Sequence, residues 1–200
     1  MAALAQSVGR RARAETNLAL DAVLVILGSL LMGLVAQLSI KLPFTPVPVT
    51  GQTLGVLVIG GALGSVRGAL SMLLYLVWGA VGLPFFAEGR SGIELLAFSS
   101  ATGGYLWGFV VAGYVVGLLA ERKWDRGIGS SLGAMFVGEV IIFTFGVTWL
   151  SQALGLPLQD ALEAGLYPFV VGDVIKLAIA AGVLPAAWRA LARAGDDTRR

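Results

Sequence analysis

The chain of 200 residues contains no cysteine and no histidine, and only 13% of its residues are charged. Without these two residue types it has no disulfide bond, no thiol nucleophile, no Ser–His or Cys–His catalytic pair, and no zinc or haem site built on histidine. None of its three lysines, Lys41, Lys123 and Lys176, stands in the Gly-Lys-Ser/Thr context of a phosphate-binding loop. We therefore expect a protein that is not an enzyme, needs no metal or cofactor, and hydrolyses no ATP by that route.

Hydrophobic residues make up 57% of the chain, and the mean hydropathy is +0.85. A soluble domain has roughly 45–50% apolar and about 25% charged residues, so this composition leaves too little polar surface for a fold in water. In lipid, a helix satisfies its own backbone polar groups. The sequence therefore predicts an all-α integral membrane protein that lies in a lipid bilayer.

Six apolar segments are predicted to cross the membrane. Their bounds are 18–40, 52–63, 68–83, 102–120, 131–150 and 169–188. The second and third are short, and Gly64 and Ser65 between them favour a tight hairpin over one broken span. We expect one transmembrane domain, 18–190, between an N-terminal tail at 1–17 and a C-terminal tail at 191–200.

The distribution of positive charge predicts the orientation of these spans. If both termini are cytoplasmic, 11 of the 14 basic residues lie inside, Lys41 and Arg90 lie outside, and Lys176 lies within the last span. This asymmetry follows the positive-inside rule and favours six spans in a multi-pass protein of the cell membrane. The basic residues follow the topology and do not cluster with aromatic residues, so no nucleic-acid partner is predicted.

Asp173 and Lys176 interrupt the last apolar span. A charge near the centre of a bilayer costs roughly 2.5–3.5 kcal/mol on insertion scales. A spacing of three residues places both side chains on one helix face, so they can form a structural ion pair, bind a ligand, or do both. Their position near the outer end of the span favours a pocket that opens outward. Glu139, the other deep acid, can orient Lys176, line the cavity, or be structural.

Two outer segments have features of a binding site. The segment 41–50 contains three prolines and is stiff and apolar, which suits either a lid over a cavity or a packed cap. Arg90 can bind an anionic ligand, or it can pair with Glu88 or Glu94. At the start of the fourth span, Gly104 and its neighbouring glycine allow either close approach of a ligand or tight helix packing.

Four short patterns together resemble a known family. They are Pro43-Phe44-Thr45-Pro46-Val47-Pro48-Val49-Thr50 with Gln52, the turn from Gly79 to Phe86, Gly103-Gly104-Tyr105, and Tyr167-Pro168-Phe169 leading into Gly172-Asp173-x-x-Lys176. In this order, from the first span to about residue 190, the chain resembles the BioY family, the biotin-capturing membrane component of energy-coupling-factor (ECF) vitamin transporters. The family often has a polar residue such as Asn after the third span, where this chain has Ala87-Glu88-Gly89.

The resemblance implies that the protein captures biotin outside the plasma membrane of a prokaryote. Asp173 and Lys176 would contact the bicyclic head of biotin, because a urea offers two N–H donors to a carboxylate and one carbonyl oxygen to an ammonium. Apolar walls and a base for the valerate carboxylate would complete the site. The residues expected there are Phe44, Val47, Trp78, Tyr105, Gly104 and Arg90.

The resemblance also implies partner proteins. In the family, a transmembrane scaffold subunit and two ATP-binding-cassette ATPases drive inward release, and the first helix offers small residues to the scaffold. Ser29 and Gly33 have the matching four-residue spacing. Two other functions stay open: a stand-alone or proton-coupled small-molecule transporter in which Asp173, Lys176 and Glu139 titrate, and a membrane assembly protein that transports nothing.

Overall fold

The computed structural model describes residues 18–197. The predicted N-terminal tail and the last three residues lie outside this range, and with them five arginines of the charge count, Arg10, Arg11, Arg13, Arg199 and Arg200. The described chain is helical. Its α-helices are α1 Leu18–Ala36, α2 Gln52–Leu63, α3 Ser65–Ala80, α4 Gly103–Glu121, α5 Ile128–Leu154, α6 Leu158–Gly165 and α7 Val170–Asp197.

Four of these helices, α1, α4, α5 and α7, are long and apolar enough to cross a membrane. Helices α2 and α3 are equally apolar but shorter, with 12 and 16 residues. The all-helical class that the composition predicted is therefore confirmed, together with four candidate spans. Helix α2 packs against α1, α3, α4 and α7, so it lies at the centre of the bundle.

Successive long helices alternate in direction and leave two different ends. The loop end carries the connections 37–51, 81–102 and 155–169, and the turn end carries Gly64 and 122–127. At the turn end Gly64 has φ +89°, a conformation that favours glycine. The Glu121 carboxylate accepts hydrogen bonds from the Ser65 amide at 2.8 Å and its hydroxyl at 2.9 Å. The predicted tight hairpin between α2 and α3 is therefore confirmed.

Several elements of the loop end were not predicted. Strands β1 Ser39–Ile40 and β2 Val49–Thr50 pair antiparallel and close the proline-rich segment into a hairpin. The short helix α6 follows Pro157, and 3₁₀ helices form at Ala87–Gly89 and Ile93–Leu96. Helix α7 continues to Asp197, so residues 191–197, which were assigned to the C-terminal tail, are helical.

Two hydrogen bonds tie the loop end together through the end of α6. The Thr45 hydroxyl donates to the Ala164 carbonyl at 2.6 Å, and the Tyr105 hydroxyl donates to the Gly165 carbonyl at 2.6 Å. The carbonyls at the end of a helix have no partner within the helix, so these side chains satisfy groups that would otherwise be unpaired. The proline-rich hairpin, α4 and α6 are thereby held as one unit.

The turn end contains a buried acid, Asp125, between α4 and α5. Its side chain is 1% exposed and accepts a hydrogen bond from the indole N–H of Trp188 on α7. The guanidinium of Arg126 lies 4.6 Å from the centre of the same indole ring. Burial raises the pKa of the Asp125 carboxyl, and the Trp188 bond offsets only part of this rise.

We expect Asp125→Asn to stabilise the protein at neutral pH. When the pKa of a carboxyl is higher in the folded protein than in the unfolded chain, the folded protein loses stability as the pH rises through the folded-state pKa. Asparagine keeps an acceptor for Trp188 and does not ionise. Thermal unfolding of both proteins from acidic to neutral pH measures this. The variant's advantage should grow with pH, and an advantage that is constant or absent would contradict the expectation.

Candidate functional site

A mostly apolar cavity opens among the elements of the loop end. A concave apolar site with a few convergent polar groups is typical of small-molecule binding. The polar and charged side chains that line it are Thr50, Gln52, Thr53, Arg90, Thr102, Tyr105, Asp173 and Lys176, and the aromatic rings are those of Phe86, Phe109, Phe143 and Phe169.

Asp173 and Lys176 form an ion pair in the first turns of α7, as their spacing predicted. The Lys176 ammonium also donates to the Thr50 carbonyl at 2.8 Å and to the Thr53 hydroxyl at 3.0 Å. An ammonium has three N–H donors, so these two bonds and the ion pair use all of them. Both residues line the cavity, and both side chains are largely buried.

Thr53, on α2, joins the two charges. Its hydroxyl donates to Asp173 Oδ1 at 3.0 Å while it accepts from Lys176. A buried ion pair is favourable only when further hydrogen bonds satisfy the remaining atoms, and Thr53 supplies one of them on each side. Asp173 Oδ2 is the exception, because no side chain or backbone group within residues 18–197 bonds to it.

This arrangement is suited to binding a polar head group. Asp173 Oδ2 is a free acceptor for an N–H donor, and Lys176 is a cation that a carbonyl oxygen can approach by replacing one of its present acceptors. The described residues bring together no cluster of three or more metal-ligating side chains. The site offers charged groups and hydrogen-bonding groups to a ligand.

Three other predicted site residues also line the cavity. Val47 is buried in the proline-rich hairpin, and Tyr105 is buried with its ring against the Phe143 ring at 6.2 Å between centres. Arg90 is exposed at the mouth, and its guanidinium forms no ion pair with Glu88, Glu94 or any other described carboxylate. The cavity lining therefore includes an exposed cation that has no counter-charge among the described residues.

Three predicted site residues lie away from the cavity. Phe44 points outward and is 68% exposed. Trp78 faces α1, where its indole N–H donates to the Ser29 hydroxyl at 3.2 Å. Gly104 packs against α5, because a Cβ atom there would collide with Trp149 and with the Phe145 carbonyl. Of the two interpretations of this glycine, helix packing is the one that its surroundings favour.

The structure also places the predicted partner-contact residues inside the chain. Ser29 is fully buried and bonds to Trp78, and a Cβ atom on Gly33 would lie 2.8 Å from the Phe85 ring. These small residues let α3 and the following loop approach α1. The outer face of α1 is formed instead by large side chains, which are Leu20, Val23, Ile26, Leu27, Leu30, Leu31 and Leu34.

The sequence interpretation missed two parts of the site. Thr53 was not singled out, although it is a hydroxyl residue in an otherwise apolar helix, which is the signal that could have drawn attention to it. The rings of Phe143 and Phe169, 6.2 Å apart between centres, also line the cavity, and in sequence they do not differ from lipid-facing residues.

Fold and site together define an all-helical membrane protein with a binding cavity for a small molecule. The chain belongs to the BioY family, whose model matches residues 8–193. It is 40% identical over 149 residues to the "Biotin transporter BioY" of Rhizobium etli, with 71% of this chain and 78% of the relative covered. It is 37% identical over 166 residues to the "Biotin transporter BioY" of Rhodobacter capsulatus, with coverages of 74% and 86%.

A solved structure has the same fold. It is described as the "S-component for biotin from an ECF-type ABC transporter", and it superposes with a TM-score of 0.78 at 23% sequence identity. The match covers 89% of this chain and 95% of the other. At this identity the likeness establishes the helical architecture, and the residues of the site must be argued from this chain alone.

Proposed function

We propose that the protein captures biotin for uptake, as the substrate-binding subunit of an ECF-type transporter. The observation that carries this proposal is the Asp173–Lys176 pair on the wall of an outward cavity, in a chain whose relatives are named biotin transporters. Biotin joins a neutral urea-containing ring system to an anionic valerate tail. The cavity has polar groups for the urea, rings for the fused bicycle, and a cation at its mouth.

The urea fits the unsatisfied part of the ion-pair network. Asp173 Oδ2 accepts one urea N–H, and the urea carbonyl accepts from Lys176 in exchange for one of its present acceptors. The bicycle packs on the aromatic wall that Tyr105, Phe143 and Phe169 form, with Val47 covering it from the proline-rich hairpin. The valerate carboxylate meets the Arg90 guanidinium at the mouth, in the bidentate geometry that arginine favours.

The proposal includes a membrane topology. Helices α2 and α3 complete six spans with the four longer helices, both termini lie in the cytoplasm, and the loop end faces outward from a prokaryotic plasma membrane. The basic residues that the structure describes at the turn end support this orientation by the positive-inside rule. They are Arg67, Arg122, Lys123, Arg126, Arg189 and Arg193.

Partner subunits supply the energy for release. The sequence has no phosphate-binding loop, so we propose that a transmembrane scaffold subunit and two ATP-binding-cassette ATPases act with it. The outer leucine-rich face of α1 is the surface that we assign to the scaffold, in place of Ser29 and Gly33. Contiguous exposed apolar side chains pack against either lipid or another helix, which fits an intermittent contact.

Titration calorimetry of the purified protein in detergent tests the capture role. Biotin is expected to bind tightly with a stoichiometry of one, desthiobiotin more weakly, and thiamine not at all. Desthiobiotin keeps the urea and the tail but lacks the fused thiophane ring, so it separates recognition of the polar head from packing of the bicycle. A folded, monodisperse sample that binds no biotin would refute the proposal.

Thr53→Val should weaken biotin binding about 5- to 150-fold. Valine keeps the shape of threonine but cannot bridge Asp173 and Lys176, and an unsatisfied buried polar group costs about 1–3 kcal/mol. Thr144→Val is the matched control, because the Thr144 hydroxyl bonds only to the Val140 carbonyl of its own helix and does not line the cavity. Calorimetry on both variants measures the difference, and equal affinities would exclude a bridging role for Thr53.

A further inference from the structure

A second cavity lies between α5 and α7, beside the binding cavity. One stripe of α5 and one stripe of α7 line this cleft, and Leu162 and Leu166 line it near α6. Asp173 and Phe143 line both spaces, so they form the wall between them. The cleft is otherwise apolar, except for Glu139 and two threonines on α5.

Glu139 is buried in this cleft without a partner. It is 6% exposed, and neither of its carboxyl oxygens accepts or donates a hydrogen bond within residues 18–197. Asp173 Oδ2 is likewise unpaired within that range and 5% exposed as a residue. Two acidic residues on facing helices therefore line one cleft and have carboxyl oxygens without a partner, and such groups are rare in folded proteins.

The charges around Glu139 do not balance. The elements packed against α5 carry Glu121 on α4, Asp160 and Glu163 on α6, and Asp173, Lys176, Arg189, Arg193, Asp196 and Asp197 on α7. Glu121 is engaged with Ser65 at the turn end, and Asp160 and Glu163 are exposed on α6. Only Asp173 among them lines the cleft, with Lys176 as its counter-charge. With both acids ionised, one ammonium would have to serve two carboxylates.

We propose that Glu139 is a proton-binding site, whose carboxyl group carries a proton and directs it across the cleft towards Asp173. With this proton, the cluster of Glu139, Asp173 and Lys176 is electrically neutral. An unpaired ionised carboxylate in an apolar interior is so unfavourable that it takes up a proton instead. Where two carboxylates lie in one site, their repulsion favours a proton on one of the two. The Asp173 carboxylate contacts the Lys176 ammonium and the Thr53 hydroxyl, and Glu139 has neither contact.

The proton on Glu139 affects the affinity for biotin, and this second half of the proposal rests on the proposed function. While Glu139 is neutral, Lys176 is opposed by Asp173 alone, and Asp173 Oδ2 can accept from the ligand. When Glu139 loses its proton, a second negative charge competes for Lys176 and repels Asp173. Biotin affinity should then fall as the pH rises, by up to about tenfold per pH unit for one linked proton.

Infrared spectroscopy of the ligand-free protein tests the site independently of biotin. The wild-type minus Glu139→Gln difference spectrum at neutral pH should contain the C=O stretching band of a protonated carboxylic acid, because the subtraction cancels any band from the buried Asp125, which both proteins share. Glu163→Gln is the matched control, because Glu163 is an exposed glutamate that bonds to Gln159 on α6. A difference spectrum without that band would overturn the proposal.

Biotin titrations from about pH 6 to about pH 9 complete the test, because buried glutamates release their protons near the top of this range. Wild-type affinity should fall towards the alkaline end, and this pH dependence should disappear in Glu139→Gln, whose amide stays neutral. Equal pH dependence in both proteins would overturn the link to ligand binding. A wild-type protein that binds no biotin at any pH would refute the proposed function, while the infrared result would still decide the proton site.

Discussion

Lys176→Ala is expected to abolish measurable biotin binding and to destabilise the protein. Removing the ammonium leaves Asp173 as a buried charge with no cation beside it, and breaking a buried pair in this way costs about 3–5 kcal/mol. The Thr50 carbonyl and the Thr53 hydroxyl would lose a partner at the same time. Calorimetry with biotin and thermal unfolding in the same detergent measure the two losses separately.

A companion set of variants separates binding from folding. Asp173→Asn keeps the shape of the side chain but offers the ligand weaker acceptors, so affinity should fall by about 1.5–3 kcal/mol, or roughly 10- to 150-fold. The double variant Asp173→Asn with Lys176→Met contains no unpaired charge, so it should regain stability without regaining affinity. Lys41→Ala, in the outer connection, is the control. Biotin binding by Lys176→Ala at the level of this control would remove the pair from the site.

Arg90→Ala is expected to reduce biotin affinity by about 10- to 150-fold, because a hydrogen bond to a charged group contributes about 1.5–3 kcal/mol. Its guanidinium has no carboxylate partner within residues 18–197, so a ligand carboxylate would be its first. The ligand can be changed as well as the protein. Biotinol, which has an alcohol in place of the valerate carboxylate, should bind wild type and Arg90→Ala with similar affinity.

This comparison assigns the loss to one contact. If Arg90→Ala weakens biotin and biotinol equally, the arginine acts through the shape of the mouth and not through the carboxylate. Arg122→Ala at the turn end is the matched control, since it removes the same charge from the other side of the bundle. Stability should change little in either arginine variant, because exposed charges contribute little to folding.

The Asp173–Lys176 pair of the candidate site could be predicted because a charged side chain inside a bilayer has a high free-energy cost. An acid and a base inside an apolar span are costly, and their spacing fixes a common face, so Asp173 and Lys176 stood out in the sequence. The hairpin at Gly64 was predictable for a similar reason, since a short polar break between two apolar runs allows few conformations. In both cases a local sequence pattern allows one arrangement of low free energy.

The remaining parts depend on contacts that no local pattern encodes. Thr53 meets Asp173 across 120 positions of sequence, and a threonine in an apolar helix is ordinary in itself. Helix α1 is apolar on every side, so nothing in its sequence indicates that Ser29 and Gly33 face inward. Helix α6 has only eight residues and is polar enough to resemble a loop. The tertiary packing of neighbouring helices decides each of these.

The closed network around Lys176 has a consequence for a carrier that must work in cycles. Every donor of the Lys176 ammonium is already satisfied when the cavity holds no ligand, so this ammonium has no free N–H group that water, salt or a poor substrate could occupy. Loading becomes an exchange of one set of bonds for another, and unloading restores the original set. If the proposed function holds, the protein returns empty to the outer surface without collapsing its site, and only a molecule that replaces the displaced bond stays bound.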